Sequence, residues 1–310
     1  MGIVVLRTVE EVRAYHNKVV AEFYEKNHRF PTIGFVPTMG ALHQGHLSLI
    51  KKARENNDIV MTSIFVNPKQ FAPHEDFAAY PRTLEADCKL IESVGCDAAF
   101  APTDEVMYPK EPKYLTYVTI EGSDSVSEGA ARPGFFRGVA TVVTKLFNIV
   151  QPTNAYFGQK DGLQAIMVKQ FVRDLNIPVT ITVCPIVRAE DGLALSSRNA
   201  YLSPEERAAA PALYKSLCAF RACFEKGERD VQTLCQATRD SLAAEPRFKI
   251  DYLSVANAVT AEELSGKLCD AQLKDGIFVS IAAWIGTTRL IDNIVLHQKK
   301  IGRASCRERV

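Results

Sequence analysis

Three short clusters hold the residue types that handle phosphate. The first is Pro37-Thr38-Met39-Gly40-Ala41-Leu42-His43-Gln44-Gly45-His46, two histidines three apart with a glycine before the pair and another inside it. Imidazoles donate to phosphoryl oxygens as negative charge builds, and glycine lets an anion approach the main chain. A pair of histidines that only caps a helix is the competing reading. The second cluster is Phe157-Gly158-Gln159-Lys160-Asp161-Gly162. Its lysine suits a phosphate and its aspartate suits ribose hydroxyls; a charged surface turn is the alternative. The third, Leu195-Ser196-Ser197-Arg198-Asn199, offers two hydroxyls and a guanidinium to terminal phosphates, a weak signal when taken alone. Neither Gly-x-Gly-x-x-Gly nor Gly-x-x-x-x-Gly-Lys-Ser/Thr occurs, so a nucleotide has to be held by a divided site.

The elements that must carry these clusters follow from periodicity. Residues 8–26 read as an amphipathic helix with Val9, Val12, Val19 and Phe23 on one face. Strand-like runs at 32–37, 59–66, 97–102, 154–158 and 179–183 alternate with helical runs at 47–54, 83–94 and 163–174. Residues 139–150 suit a strand by composition, but their length and apolar spacing predict a helix. This alternation predicts βαβ units and a parallel sheet, an α/β fold. The first cluster then lies where a strand hands over to a helix, the point at which open sheets bind ligands. From Ser203-Pro204-Glu205-Glu206 the texture changes to a helix start, with helical sequence to about residue 242. Strands follow at 250–255, 277–283 and 288–294, the last two joined through Gly286-Thr287 as a hairpin. The expected organisation is a nucleotide-binding α/β domain over 1–200, a smaller α+β domain over 201–296, and a tail over 297–310.

Composition excludes several classes. Of the 310 residues 47% are hydrophobic and 24% charged, ordinary values for a soluble globular chain. The formal net charge is +1, but the tail from His297 carries five Lys and Arg against Glu308, so the body is mildly acidic. A nucleic-acid footprint would show the opposite bias. Eight cysteines without a Cys-x-x-Cys pair fit reduced thiols in a cytoplasm better than disulfides or zinc. No signal peptide and no run of about 18 apolar residues is present. The tail reads as a solvated basic end whose origin, native or appended, the residues leave open.

The first cluster, Val66-Asn67-Pro68-Lys69-Gln70-Phe71, Tyr80-Pro81-Arg82-Thr83, Arg132-Pro133-Gly134-Phe135-Phe136-Arg137-Gly138-Val139, and the second and third clusters occur in that order. Together they resemble the successive motifs of the pantothenate synthetase (pantoate–β-alanine ligase) family, within the wider class built on His-x-Gly-His. The resemblance runs over residues 1–296 and departs at the tail. It implies a Rossmann-like, doubly wound parallel sheet and an ATP-dependent joining of pantoate to β-alanine through an acyl adenylate. It also implies Mg2+ and a homodimer. Carried over by position, His43, His46 and Lys160 act in catalysis. ATP meets Met39, Gly40, His43, His46, Gly158, Gln159, Lys160, Asp161, the backbone at Val187, and Leu195, Ser196, Ser197 and Arg198. Gln70 and Gln164 hold pantoate, neutral amides that orient the acid and leave cationic groups for the phosphates. No protein ligand to a metal is implied; Asp87 reads as a solvated helix aspartate rather than an indirect partner of the ion. The polar, glycine-bearing stretch 122–138 reads as a lid or as an ordinary surface loop, and Tyr80 as a packing residue. His16, His28, His74 and His297 have no assigned role. A nucleotidyltransferase of the same histidine class, a nucleotide-binding regulatory protein and a tRNA synthetase are the alternatives, the last lacking an anticodon-binding module.

Overall fold

The structure is a computed structural model that describes residues 2–72, 75 and 77–297; His74 and the tail beyond His297 lie outside the described residues. Nine strands occur among them: β1 Val4–Leu6, β2 Ile33–Thr38, β3 Ile59–Ile64, β4 Ala98–Phe100, β5 Asn154–Gly158, β6 Thr180–Cys184, β7 Phe248–Asn257, β8 Ile277–Ile285 and β9 Thr288–Leu296. The helices are α1 Val9–Asn27, α2 Gln44–Asn56, α3 Leu84–Glu92, α4 Asp104–Met107, α5 Ser127–Ala131, α6 Phe135–Val150, α7 Gly162–Asp174, α8 Pro204–Ala209, α9 Ala212–Glu225, α10 Val231–Ala243 and α11 Asp270–Asp275.

Strands β1 to β6 form one sheet in the order β1-β4-β3-β2-β5-β6, every pair parallel. Successive residues of a strand face opposite sides, and both sides here are apolar. Ile33 and Phe35 of β2 join a core with α6 and α7, while Val36 joins a second core with α2 and α3. The sheet is therefore covered on both faces, as the alternating pattern predicted. The chain runs outward from β2 through β3 to β4 on one side and from β5 to β6 on the other. This switch point sets the carboxyl ends of β2 and β5 side by side, so the loops that follow them face one crevice.

The remaining strands form an antiparallel sheet in the order β7-β8-β9, closed by the two-residue hairpin Gly286-Thr287. Its core is shared with α9 and α10. The structure departs from the sequence reading in several places. The sequence pattern does not predict the three-residue edge strand β1. The helical run after residue 203 is three helices, and the helix after β2 begins at Gln44, which brings His46 into its first turn. On α1 only Val12 is fully buried. None of the seven described cysteines forms a disulfide. Among the described residues no helix is long and apolar enough to cross a membrane.

Candidate active site

Strand β2 ends at Thr38, whose hydroxyl donates to the Ser63 carbonyl at 2.6 Å and ties the strand end to β3. The chain then turns through Gly40 and Ala41 and enters α2 with His43 as its N-cap. His43 Nδ1 accepts from the Gly45 N–H at 3.1 Å, and His46 Nδ1 accepts from the His43 N–H at 3.3 Å. This is a capping box built from imidazoles. A side chain on Gly45 would stand 2.7 Å from His43 Cε1, so glycine is needed for the ring to lie over the helix start.

The cap decides the tautomer. With both Nδ1 atoms accepting, each neutral ring carries its proton on Nε2, away from the helix. Burial first, and then the Lys160 charge, lower His43 to about 4, with Asp161 opposing. Burial, His43 and Lys160 lower His46 to about 3. An unperturbed imidazole titrates near ~6.5, so both rings stay neutral N–H donors across the physiological range. In an NMR titration the two ring signals are expected to show no inflection between pH ~8 and ~5.5. Inflections near ~6.5 would contradict the cap-locked, desolvated pair.

The second cluster lies across the crevice. Its 3-10 turn Gln159–Asp161 follows β5 directly, and Lys160 Nζ stands 3.5 Å from Asp161 Oδ1. The turn is held from the other sheet: Asn293 Nδ2 on β9 donates to the Gln159 and Lys160 carbonyls at 2.8 and 2.9 Å. The third cluster forms the 3-10 turn Ser197–Tyr201, capped by Ser196 Oγ, which accepts from the Arg198 N–H at 3.3 Å. Ser197 Oγ donates to the Ala41 carbonyl at 3.1 Å, so this turn is fastened to the histidine loop. The Val187 carbonyl accepts from the Leu195 N–H at 3.0 Å.

A cavity of about 210 Å³ brings Met39, His43, His46, Gln70, Gly158, Lys160, Asp161, Gln164, Val187 and the 195–198 turn together. Two of the predicted residues stand outside its lining: Gly40 lies within the loop, and Gln159 turns to Asn293 Oδ1 at 3.3 Å. Gln70 is aimed by its neighbours, donating to Met39 Sδ at 3.1 Å and accepting from Asn67 Nδ2 at 3.0 Å. A second cavity of about 360 Å³ adjoins the first, sharing Arg132, Lys160, Asp161, Gln164 and Arg198 and reaching β7 and β9. Tyr80, read from sequence as a packing residue, is buried beside Phe71 and also lines the first cavity. Among the described residues no three His, Cys, Asp or Glu side chains gather as a metal cage.

This geometry accompanies a clear kinship. The family model for pantoate–β-alanine ligase matches residues 4–295. The chain belongs to that family. It is 48% identical over 292 residues to the pantothenate synthetase of Herpetosiphon aurantiacus, covering 94% of this chain and 99% of that protein. The Chloroflexus aurantiacus pantothenate synthetase is 53% identical over 277 residues, 89% of this chain and 96% of that one. The crystal structure of the Thermus thermophilus enzyme matches with a TM-score of 0.85 at 44% identity, over 96% of this chain and 100% of that chain. The Francisella tularensis pantoate–β-alanine ligase, complexed with beta-gamma ATP and beta-alanine, matches with a TM-score of 0.72 at 32% identity, over 94% and 97% of the two chains.

Two residues of this pantoate–β-alanine ligase family member depart from what the sequence predicts. Asp87 is no solvated helix aspartate; it is 1% exposed and faces the histidine loop. Asn293 holds the Gln159–Asp161 turn, and its signal in the sequence is the polar pair Asp292-Asn293 inside an apolar strand. The stretch 122–138 is no bare loop either. It contains α5 and the start of α6, and Glu128 at its centre is paired with Arg289 of β9.

Proposed function

We propose that the protein joins pantoate to β-alanine in two steps within the paired cavities. A carboxylate oxygen of pantoate attacks the α-phosphorus of ATP and pyrophosphate leaves. The β-alanine amine then attacks the acyl carbon, loses a proton and expels AMP, giving pantothenate. The observation that carries this reading is the imidazole pair, whose cap leaves two neutral Nε2–H donors beside Lys160 and the 195–198 turn. Such donors stabilise charge that grows on phosphate oxygens without being neutralised in the ground state.

In this reading His43 and His46 donate to the phosphates undergoing transfer, and Lys160 offsets charge at the α-phosphate. Gly158 and Asp161 hold the ribose, with Met39 and Gly40 in the same nucleotide stretch and Gln159 in the turn that carries Lys160. The Val187 backbone and Leu195 flank adenine, and Ser196, Ser197 and Arg198 take the outer phosphates. Gln70 and Gln164 orient pantoate. Magnesium enters as the counter-ion that screens the triphosphate. Residues 1–200 act as the nucleotide and pantoate domain and 201–296 as the smaller domain that closes the crevice. The protein works as a cytoplasmic homodimer, a reading that rests on the family resemblance.

Pyrophosphate and AMP are measured from MgATP with pantoate, β-alanine, or both. Sustained formation of both products only when both substrates are present supports the ligase. A nucleotide retained on the acid or amine product would instead favour the nucleotidyltransferase, and no turnover by folded protein would sink the substrate assignment.

A further inference from the structure

The loop between β2 and α2 has little reason of its own to hold its shape. Gly40 has φ +86° and Ala41 φ +50°, both left-handed, and a side chain at Ala41 adopts that region only at a cost. No secondary-structure ladder takes the amides of Ala41 and Leu42. What takes them is one side chain from another element. Asp87 of α3 accepts the Ala41 N–H on Oδ2 at 3.0 Å and the Leu42 N–H on Oδ1 at 2.8 Å. Thr83 Oγ1 donates to the same Oδ2 at 3.1 Å and fixes the carboxylate's rotation. The fit is close: a Cβ on Gly40 would stand 3.1 Å from Asp87 Oδ2.

We infer that Asp87 is a positioning residue for adenylation, holding the loop whose next residue is the His43 cap so that both imidazoles present Nε2–H to the cavity. Asp87 is not among the residues that line the cavity and reaches the loop through the Ala41 and Leu42 amides. Only a side chain with two acceptor oxygens satisfies both amides. Asparagine offers one and sets its own N–H₂ against the other amide, so Asp87→Asn keeps size and loses the clamp. The inference rests on the histidine roles proposed above.

The test compares wild-type, Asp87→Asn and Thr83→Val in pyrophosphate release, together with long-range ¹H–¹⁵N spectra of the imidazoles. The expected result for Asp87→Asn is a fall of about 10–100-fold in kcat with KM for ATP changed less than about threefold, because displacement of donors harms transition-state contacts most. Both histidine rings should also lose the single Nε2–H signature, a change that a merely structural role would not produce. Thr83→Val frees the rotation of the carboxylate with little threat to folding, and a smaller change of the same kind is expected. It decides the matter if Asp87→Asn does not fold. Wild-type kcat and wild-type imidazole spectra in a folded variant overturn the inference. If the wild-type protein itself forms no pyrophosphate, the proposed reaction fails, and the imidazole spectra alone judge the clamp.

Discussion

Replacing His46 with alanine is expected to lower kcat for pyrophosphate formation by about 10²–10³-fold, the loss typical of one donor removed from a preorganised oxyanion site. The expectation follows from the ring's surroundings. His46 is held by the His43 N–H at Nδ1, kept neutral by burial and by two neighbouring nitrogen groups, and opens onto the cavity that Lys160 also lines. Alanine would also remove an N-terminal cap from α2, a separate loss of about 1 kcal/mol in helix stability. His46→Gln separates the two effects. Glutamine three residues into a helix reaches back to the cap N–H, as in an ordinary capping box, yet presents no Nε2–H at the same point. Both variants should therefore fail in turnover while only the alanine form loses thermal stability. Near-wild-type kcat in the glutamine form would reduce the histidine pair to a helix cap, the competing reading that the sequence allowed.

The structure shows the capping role of that pair, and the donor role proposed above is built on it. The capping role orients the rings, and the orientation produces the donors. The sequence could not show this because histidine is not among the usual N-cap residues, so a search for Ser, Thr, Asp or Asn before an apolar run starts the helix too late. Local grammar was enough for β2, β3, β5 and β6, where an apolar run stops at a proline, glycine or asparagine. It was also enough for the β8–β9 hairpin. Asp87 shows where local grammar ends. On its own helix it reads as one acidic residue in a first turn, and only a loop 46 positions earlier in the chain reveals it as buried. Asn293 is similar, with its partner carbonyl at Lys160 lying 133 positions away. The residues proposed to touch the reacting groups are singled out by type; those that aim them depend on long-range register.

The second large effect is expected at Glu128, where the two halves of the crevice are joined. Its carboxylate accepts from Arg289 Nη1 and Nη2 at 3.0 and 2.9 Å and from Arg132 Nη1 at 3.3 Å. Arg289 also reaches Asp251 at 2.9 Å, and Arg132 grips Glu75 through two bonds of 2.7 Å. Glu128 is only 6% exposed, so two guanidiniums on one buried acid decide its state. Burial alone would raise its pKa, but Arg289 and then Arg132 outweigh it, and the folded value lies below that of a free glutamate. Glu128→Ala leaves both cations short of charge in a desolvated place. A loss of about 3 kcal/mol is expected at neutral pH, the low end for a broken buried pair because Asp251 and Glu75 remain. A depressed carboxyl pKa means that stability from Glu128 is fully present above the unfolded value of about 4.3 and is lost as pH falls through the folded value. The gap between wild-type and Glu128→Ala in urea unfolding should therefore be constant from neutral pH down to about 5 and narrow below it. A gap under about 1 kcal/mol at neutral pH, or one that stays the same in acid, would mean that the network is a solvated surface cluster rather than the buried joint between the sheets.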